Sequence, residues 1–377
     1  MSSRGWKCYH VLFSNRVGGA ENVAMNIAER LAQRGSLGGV FVAGDGPALA
    51  ELQRRGLASS VFARDKILSK GVVTALLANA QLAWQLESWR RGVVHFHLPG
   101  LYRASRFAVG RSASVVHVHI DEPDEMFRWA FQQPPDLIVP CARFLEPKIR
   151  SALPSRYQES QRIEALPNAV DVERLAVYNV VDRSAAKRAV SAPLNRPLIL
   201  MAANLAKHKG QETAIRAMAR LRSLGADAEL WLAGEDREQG GYERHLQELA
   251  VTEGVADRVR LLGFRSDVES LYGAADVLLL PSTREGLPLT VLEAQAAGVA
   301  VLAAPTAGVP EAIVDGETGW LIEHDDVEGY ARRIKAVIDH PELRRAVSDR
   351  AFERVRKHNN WQDYCTRMID LYESLLV

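Results

Sequence analysis

The sequence predicts an α/β protein built from two doubly wound domains. Short apolar, β-branched runs alternate with amphipathic helical patterns along the whole chain, as they do where parallel sheets are covered on both faces. The 377 residues, 47% apolar and 25% charged, suffice for about two domains, each with its own core. The pattern breaks near LPNAVDVERL, where Pro167 and Asn168 punctuate the chain after the strand-like QRIEA. Domains are therefore expected at residues 1–165 and 166–356.

Each element is legible in turn. Strands are expected at KCYHVLF, GGVFVAG, SSVFA, GVVHFHL, SVVHVHI and DLIVPC in the first half. In the second half they are expected at PLILMAA, AELWLAG, RVRLLGF, ADVLLLP, VAVLAAP and GWLIE. The first helix, from Ala20, puts Ala20, Val23, Ala24, Ile27, Ala28 and Leu31 on one face at the 3.6-residue period, so these are core residues. The last helix, in NWQDYCTRMIDLYESLLV, repeats Trp361, Tyr364, Cys365, Met368, Leu371, Tyr372 and Leu375, too apolar a face for a solvated tail. It must pack on something.

Composition excludes several classes. Cys8, Cys141 and Cys365 are scattered and lack CxxC spacing, which suggests neither a disulfide framework nor a zinc cluster and fits a reducing cytoplasm. No apolar run approaches the length of a membrane span, and the first residues do not read as a signal peptide. The net charge of +1 hides an asymmetry. Residues 1–164 carry 21 Lys and Arg against 14 Asp and Glu, and the remainder 26 against 32. No nucleic-acid partner is expected. GxGxxG is absent, which argues against a dinucleotide.

The stretch PSTREGLPLTVLEAQAAG, Pro281 to Gly298, carries the most chemistry. It leaves a strand and opens a helix, the position at which open α/β sheets bind ligands. Pro288 suits the first helical turn, and the N–H groups of Gly286 and Leu287 at a helix N-terminus favour an anion such as phosphate. Glu285 precedes the helix and Glu293 lies inside it, so both carboxylates can accept from hydroxyls of one ligand. The bland reading makes Glu285 a dipole partner and Glu293 an exposed helical carboxylate.

This stretch, with AAGVAVLAAPTAGVPEAIVDGETGWLI after it, resembles the donor-binding region of retaining glycosyltransferases of family 4. Further landmarks follow in the family's order: GGAE at Gly18 to Glu21, VVHVHIDE, PNAVD, ANLAKHKG, LAGED and DRVRLLGFRSDV. The resemblance implies the GT-B architecture of two facing Rossmann-like domains, with the terminal helix, residues 357–377, crossing back to complete the first. By the same match Glu285 contacts the donor sugar, Glu293 the nucleotide ribose, and Lys209 the leaving diphosphate. His119 would lie near the donor sugar, and Arg265 in the loop that meets the base. Gly18 and Gly19 would border the donor phosphates, with Glu21 and His97 on the acceptor side. His95 and His117 read as structural.

Two positions depart from the family's pattern. Asn204 stands where many members place arginine and brings no charge, leaving Lys207, His208, Arg284 and Arg265 as possible substitutes. Ala169 replaces the usual glycine of the linker. No Asp-x-Asp occurs, so no metal or other cofactor is expected, and Lys209 with the helix N-terminus would stabilise the departing charge.

The expected function is hexosyl transfer with retention. The donor would be a nucleotide-sugar, UDP- in preference to GDP-, and the acceptor a hydroxyl of a saccharide or lipid-linked saccharide, in cell-envelope, exopolysaccharide or lipopolysaccharide biosynthesis. In the retaining family the hydroxyl attacks from the leaving-group side, and the phosphate takes its proton. A nucleotide-sugar epimerase of the same architecture, or a catalytically idle donor-binding scaffold subunit, are the alternatives. Cations beside aromatic residues, Arg64, Lys66 and Lys70 before Trp84, Trp89, Arg90 and Arg91, and LYRASRFAVGR, suit peripheral docking on an anionic membrane from the cytoplasm. A core role for Trp84 and Trp89 is the other reading.

Overall fold

A computed structural model describes residues 5–69, 71–236 and 241–377. The chain divides into two units, one running to Asn168 and resuming at Asp363–Val377, the other Ala169–Gln362. These junctions fall three and six residues beyond the expected ones. The reason is local: Val170 donates to the Asn359 carbonyl at 2.9 Å and accepts from the Trp361 N–H at 3.0 Å. The linker and the segment before the last helix are thus tied to each other within the second unit.

All twelve expected strands are present among the described residues. In the first unit β1 (Cys8–Val11), β2 (Leu37–Val42), β3 (Ser59–Val61), β4 (Val93–Phe96), β5 (Ala113–Val118) and β6 (Leu137–Pro140) form one sheet in the order β3-β2-β1-β4-β5-β6. The second unit contains β7 (Leu198–Ala202), β8 (Glu229–Ala233), β9 (Val259–Gly263), β10 (Val277–Leu280), β11 (Ala300–Ala303) and β12 (Trp320–Leu321), ordered β12-β11-β10-β7-β8-β9. Every pairing is parallel. Every residue of β1, β4, β6, β7, β8, β10 and β11 is buried, because helices cover both faces, and this is why these strands read as continuous apolar runs. β9 pairs on one side and is half-exposed.

The first helix spans Gly19–Gln33 and buries Val23, Ala24, Met25, Ile27, Ala28 and Leu31. The last, Trp361–Ser374, buries Tyr364, Cys365, Met368, Ile369 and Tyr372. Its partner is the first unit's sheet. The Tyr372 hydroxyl lies 2.6 Å from His95 Nδ1 and its ring packs edge-on to Trp6, while Arg34 pairs with Glu373 at 3.1 Å.

Two positions follow from the strand orders. Chain order reverses between β1 and β4 in the first sheet and between β7 and β10 in the second. Loops leaving the carboxyl ends of strands on either side of such a reversal diverge and open a crevice. Lys209, Glu285, Gly18 and His97 are among the candidates on those loops, and the others follow neighbouring strands or stand on the helix that comes next.

Candidate functional site

In the second unit Lys209 and Glu285 come from the two strands flanking the reversal. After β7 the chain makes one tight turn, Lys207–Lys209, and enters the helix Gln211–Ser223 through Gly210 at φ 78°. Only glycine fits there. A Cβ at Gly210 would stand 2.1 Å from the Pro281 carbonyl oxygen, and the left-handed backbone is costly for other residues. This close approach docks the turn onto the loop after β10, where the Thr283 N–H donates to the His208 carbonyl at 2.8 Å. Lys209 Nζ then reaches both carboxylate oxygens of Glu285, at 2.8 and 3.0 Å.

Glu285 is 6% exposed. A carboxylate so buried requires a charged partner, and Lys209 supplies it. An ammonium has three donors, so two bonds to Glu285 leave one for a further anion. The pair can present both a carboxylate acceptor and a cation to one ligand.

Glu293 stands on the helix Leu289–Ala296, with Pro288 capping it rather than occupying its first turn. It is half-buried, not the exposed helical carboxylate of the bland reading. The Tyr272 hydroxyl donates to Glu293 Oε2 at 2.8 Å. Burial raises the Glu293 pKa, opposed by that hydrogen bond and by the charge of Arg174. Arg174, on the helix Val172–Val180, is itself held by Glu269 at 2.6 Å. Neither Tyr272 nor Arg174 was singled out from sequence. Tyr272 sits in SLYGA, where nothing distinguishes it from an ordinary core aromatic.

Neighbouring strand ends bring up the other expected residues. A Cβ at Gly234 would meet the Ala203 carbonyl at 1.9 Å, so the LAGED turn lies directly on the Asn204 segment, where Leu205 donates to Glu235 at 3.0 Å. The Asn204 carbonyl accepts from Gln211 at 2.9 Å. Arg265 is committed to Asp267 by two bonds of 2.7 and 2.6 Å, which leaves its loop backbone as the better ligand and makes it a poor substitute for the family's arginine. Lys207, His208 and Arg284 are exposed. Gly286 and Leu287 are buried, and the Gly286 carbonyl accepts from the Gly308 N–H at 2.9 Å.

In the first unit, Gly18 caps the helix that carries Gly19 and Glu21 in its first turn, on the loop after β1. His97 follows β4 and His119 follows β5, so the five residues lie at the carboxyl ends of β1, β4 and β5, at and beside the β1–β4 reversal. The histidines form a stack across three strands, with centroids 4.1 Å apart for His95 and His97 and 4.0 Å for His117 and His119. His10, on β1 opposite His95, completes it and was not foreseen. His97 is 4% exposed, and its nitrogens lie 2.9 Å from His10 Nδ1 and 3.0 Å from His119 Nε2. Both of its ring nitrogens are therefore engaged by other histidines. His95 and His117 bind Tyr372 and Tyr364 of the last helix, at 2.6 and 3.5 Å. Burial lowers the pKa of all five imidazoles, that of His119 to about 3, so they are neutral.

Two trios, His10, His95, His97 and His97, His117, His119, hold ligand nitrogens within 4.8 Å of one another. A metal ion there would have to break inter-histidine hydrogen bonds, and neither trio includes a carboxylate to offset its charge. The donor set suits hydrogen bonding better.

Each of the two parallel sheets thus has one chain reversal with candidate polar residues at its strand ends. A family model described as Glycosyl transferases group 1 matches residues 182–354, and one described as Glycosyltransferase Family 4 matches residues 17–174. The chain belongs to this family, the group 1 glycosyltransferases of family 4. A relative in Corynebacterium glutamicum, a GDP-mannose-dependent monoacylated alpha-(1-6)-phosphatidylinositol monomannoside mannosyltransferase, is 30% identical over 229 residues, 58% of this chain and 58% of its own length. A D-inositol 3-phosphate glycosyltransferase of Corynebacterium jeikeium is 26% identical over 95% of this chain and 92% of its own. The fold is shared with Anabaena HepE, solved in complex with UDP-glucose, at TM-score 0.83 and 19% identity over 97% of this chain and 99% of that one.

Proposed function

We propose that the protein transfers a hexosyl group from a nucleotide-sugar, UDP- in preference to GDP-, to a hydroxyl of a saccharide or lipid-linked saccharide, with retention and without a metal. The Lys209–Glu285 pair carries this reading. A departing nucleoside diphosphate needs a fixed cation, and Lys209 stands at the β7–β10 reversal with a donor to spare. Glu285 beside it accepts from a sugar hydroxyl, and Glu293 keeps Oε1 for a ribose hydroxyl while Tyr272 holds Oε2. With transfer from the leaving-group side, the acceptor's proton passes to the departing phosphate, and the protein's part is positioning and charge stabilisation.

Turnover is expected to persist in EDTA and to give a product with the donor's anomeric configuration, read by proton NMR. An inverted product, or activity abolished by the chelator, would overturn the reading. Donor consumed without any acceptor would identify an epimerase. UDP support comes from the HepE complex, whereas the C. glutamicum relative uses GDP-mannose. A thermal-shift comparison separates them, since a ligand at 100 times its Kd stabilises by about 2.7 kcal/mol.

That relative acts on a lipid-linked saccharide, and a surface of the first unit suits such an acceptor. No helix is long and apolar enough to cross a membrane among the described residues. The helix Val72–Gln85, however, exposes Val72, Val73, Leu76, Leu77 and Trp84, the last at 71%, and Trp89 and Phe107 are exposed as well. Trp84 and Trp89 are thus not core. Arg106 lies over the Phe107 ring, while Lys70 is outside the described residues. Apolar side chains with flanking cations suit reversible docking at the inner face of a membrane, each cation adding about 1 kcal/mol near anionic lipid. The protein is expected to sediment with phosphatidylglycerol vesicles at low salt and to be released at high salt. Changing Arg90, Arg91, Arg103 and Arg106 to serine, or Leu76 and Leu77 to serine, should weaken that binding. Full activity on a water-soluble acceptor without vesicle binding at low salt would refute the docking.

A further inference from the structure

We propose that His10 and His97 are positioning residues, forming a buried hydrogen-bonded chain that holds His119 in one neutral tautomer, with its proton on Nδ1. The chain crosses three adjacent strands or strand ends: Cys8 Sγ lies 3.7 Å from His10 Nε2, His10 Nδ1 lies 2.9 Å from His97 Nε2, and His97 Nδ1 lies 3.0 Å from His119 Nε2. A neutral imidazole has one N–H and one bare nitrogen, so a proton placed on one ring dictates its place on the next. Were both rings at a contact to present N–H, or both bare nitrogen, a buried hydrogen bond would be lost.

Direction follows from the end at Cys8. Burial pushes the Cys8 thiol pKa up, so the sulfur keeps its proton. A thiol is a weak donor and its sulfur a weak acceptor, whereas a bare imidazole nitrogen is a strong acceptor, so S–H to His10 Nε2 is the better use of both. His10 then donates from Nδ1 to His97, and His97 donates from Nδ1 to His119 Nε2. His119 is left with its proton on Nδ1, the nitrogen not bonded to His97. It offers a hydrogen-bond donor, to a sugar hydroxyl or phosphate oxygen, and cannot act from that nitrogen as a base. His95 and His117 share the stack but bond to Tyr372 and Tyr364; Tyr372 also contacts the Cys8 thiol, yet its 2.6 Å bond is to His95 and to no ring of the chain.

The tautomer can be read in the free protein by nitrogen NMR of ¹⁵N-histidine-labelled samples, with His119 assigned by comparison with His119→Asn. A single neutral form with protonated Nδ1 is expected. His97→Phe keeps the ring stack but removes both bonds, and should give a mixture of tautomers without a large loss of melting temperature. His97→Asn retains an amide donor near the place of Nδ1 and should restore the single form, while His95→Asn should leave the His119 signals unchanged. A mixture or a bare Nδ1 in the unaltered protein, or His119 signals indifferent to His97→Phe, would overturn the proposal. The effect on catalysis rests in addition on the reading of His119 as a donor-sugar contact: kcat in His97→Phe should fall roughly tenfold with KM little changed, as when the partner orienting a working imidazole is removed. A shifted tautomer with unchanged kcat would uphold the chain and remove His119 from the donor site.

Discussion

Lys209→Ala is expected to lower kcat by about a hundredfold or more and to lower the melting temperature with it. The first effect is the scale of losing one partner of a developing anion. The second comes from geometry that sequence did not show. Lys209 binds both oxygens of a carboxylate that is 6% exposed, and removing it leaves that charge buried and unpaired. Breaking such a pair from one side costs on the order of 3 kcal/mol, or about 6–12 °C for a unit of this size. The two effects separate in a double variant. Lys209→Met with Glu285→Gln removes both charges, so the melting temperature should return to within a few degrees of the parent while turnover stays low. Full turnover in folded Lys209→Ala would remove the lysine from the reaction. Recovery of turnover in the double variant would reduce the pair to a structural ion pair.

The distinction between what the sequence showed and what it hid is one of range. Strands such as VLLL in β10 and LILMA in β7 are legible because parallel strands buried on both faces must be apolar throughout. Lys209 and Glu285 could be named from local motifs, each a few residues after its strand. That they touch depends on β7 and β10 being neighbours at a chain reversal, which no local window contains. The His10–His97–His119 chain needs the alignment of β1, β4 and β5, and its links span 87 and 22 residues of sequence. Alternation in VVHFH and VVHVH gave the shared face within each strand but not the partner across strands. The outward face of the helix Val72–Gln85 was hidden for another reason. Its run VVTALLANAQLAW is apolar on nearly every side, so the 3.6-residue period cannot say that Leu82 faces the core while Leu76, Leu77 and Trp84 face outward. The domain junction near residue 360 was displaced because the pairing of Val170 with Asn359 and Trp361 joins segments far apart in the chain.

Glu293→Gln separates binding from stability in the opposite sense to Lys209→Ala. On the proposed role of Glu293, nucleotide affinity is expected to fall tenfold to a hundredfold, equivalent to about 1.5–3 kcal/mol, because a hydrogen bond from ribose to a carboxylate would become one to a neutral amide. Stability should not fall with it. Burial raises the Glu293 pKa, so the native state holds that proton more tightly than the unfolded chain does. The resulting stabilisation is fully present below the unfolded carboxyl pKa of about 4.3 and is lost as pH rises through the native value. At neutral pH the buried charge is a burden, and a glutamine that still accepts from Tyr272 removes it. The variant's melting temperature at pH 7 should equal or exceed the parent's, with a flatter pH dependence above the carboxylate range. Tyr272→Phe supplies the contrast, because it leaves Glu293 Oε2 without its 2.8 Å donor, so both affinity and melting temperature should drop. Calorimetric titration with UDP and GDP, together with melts from pH 5 to 8, reads all of these. Unchanged affinity in Glu293→Gln would place the ribose elsewhere, and a large loss of stability at pH 7 would make Glu293 a structural ion held by Tyr272 and Arg174.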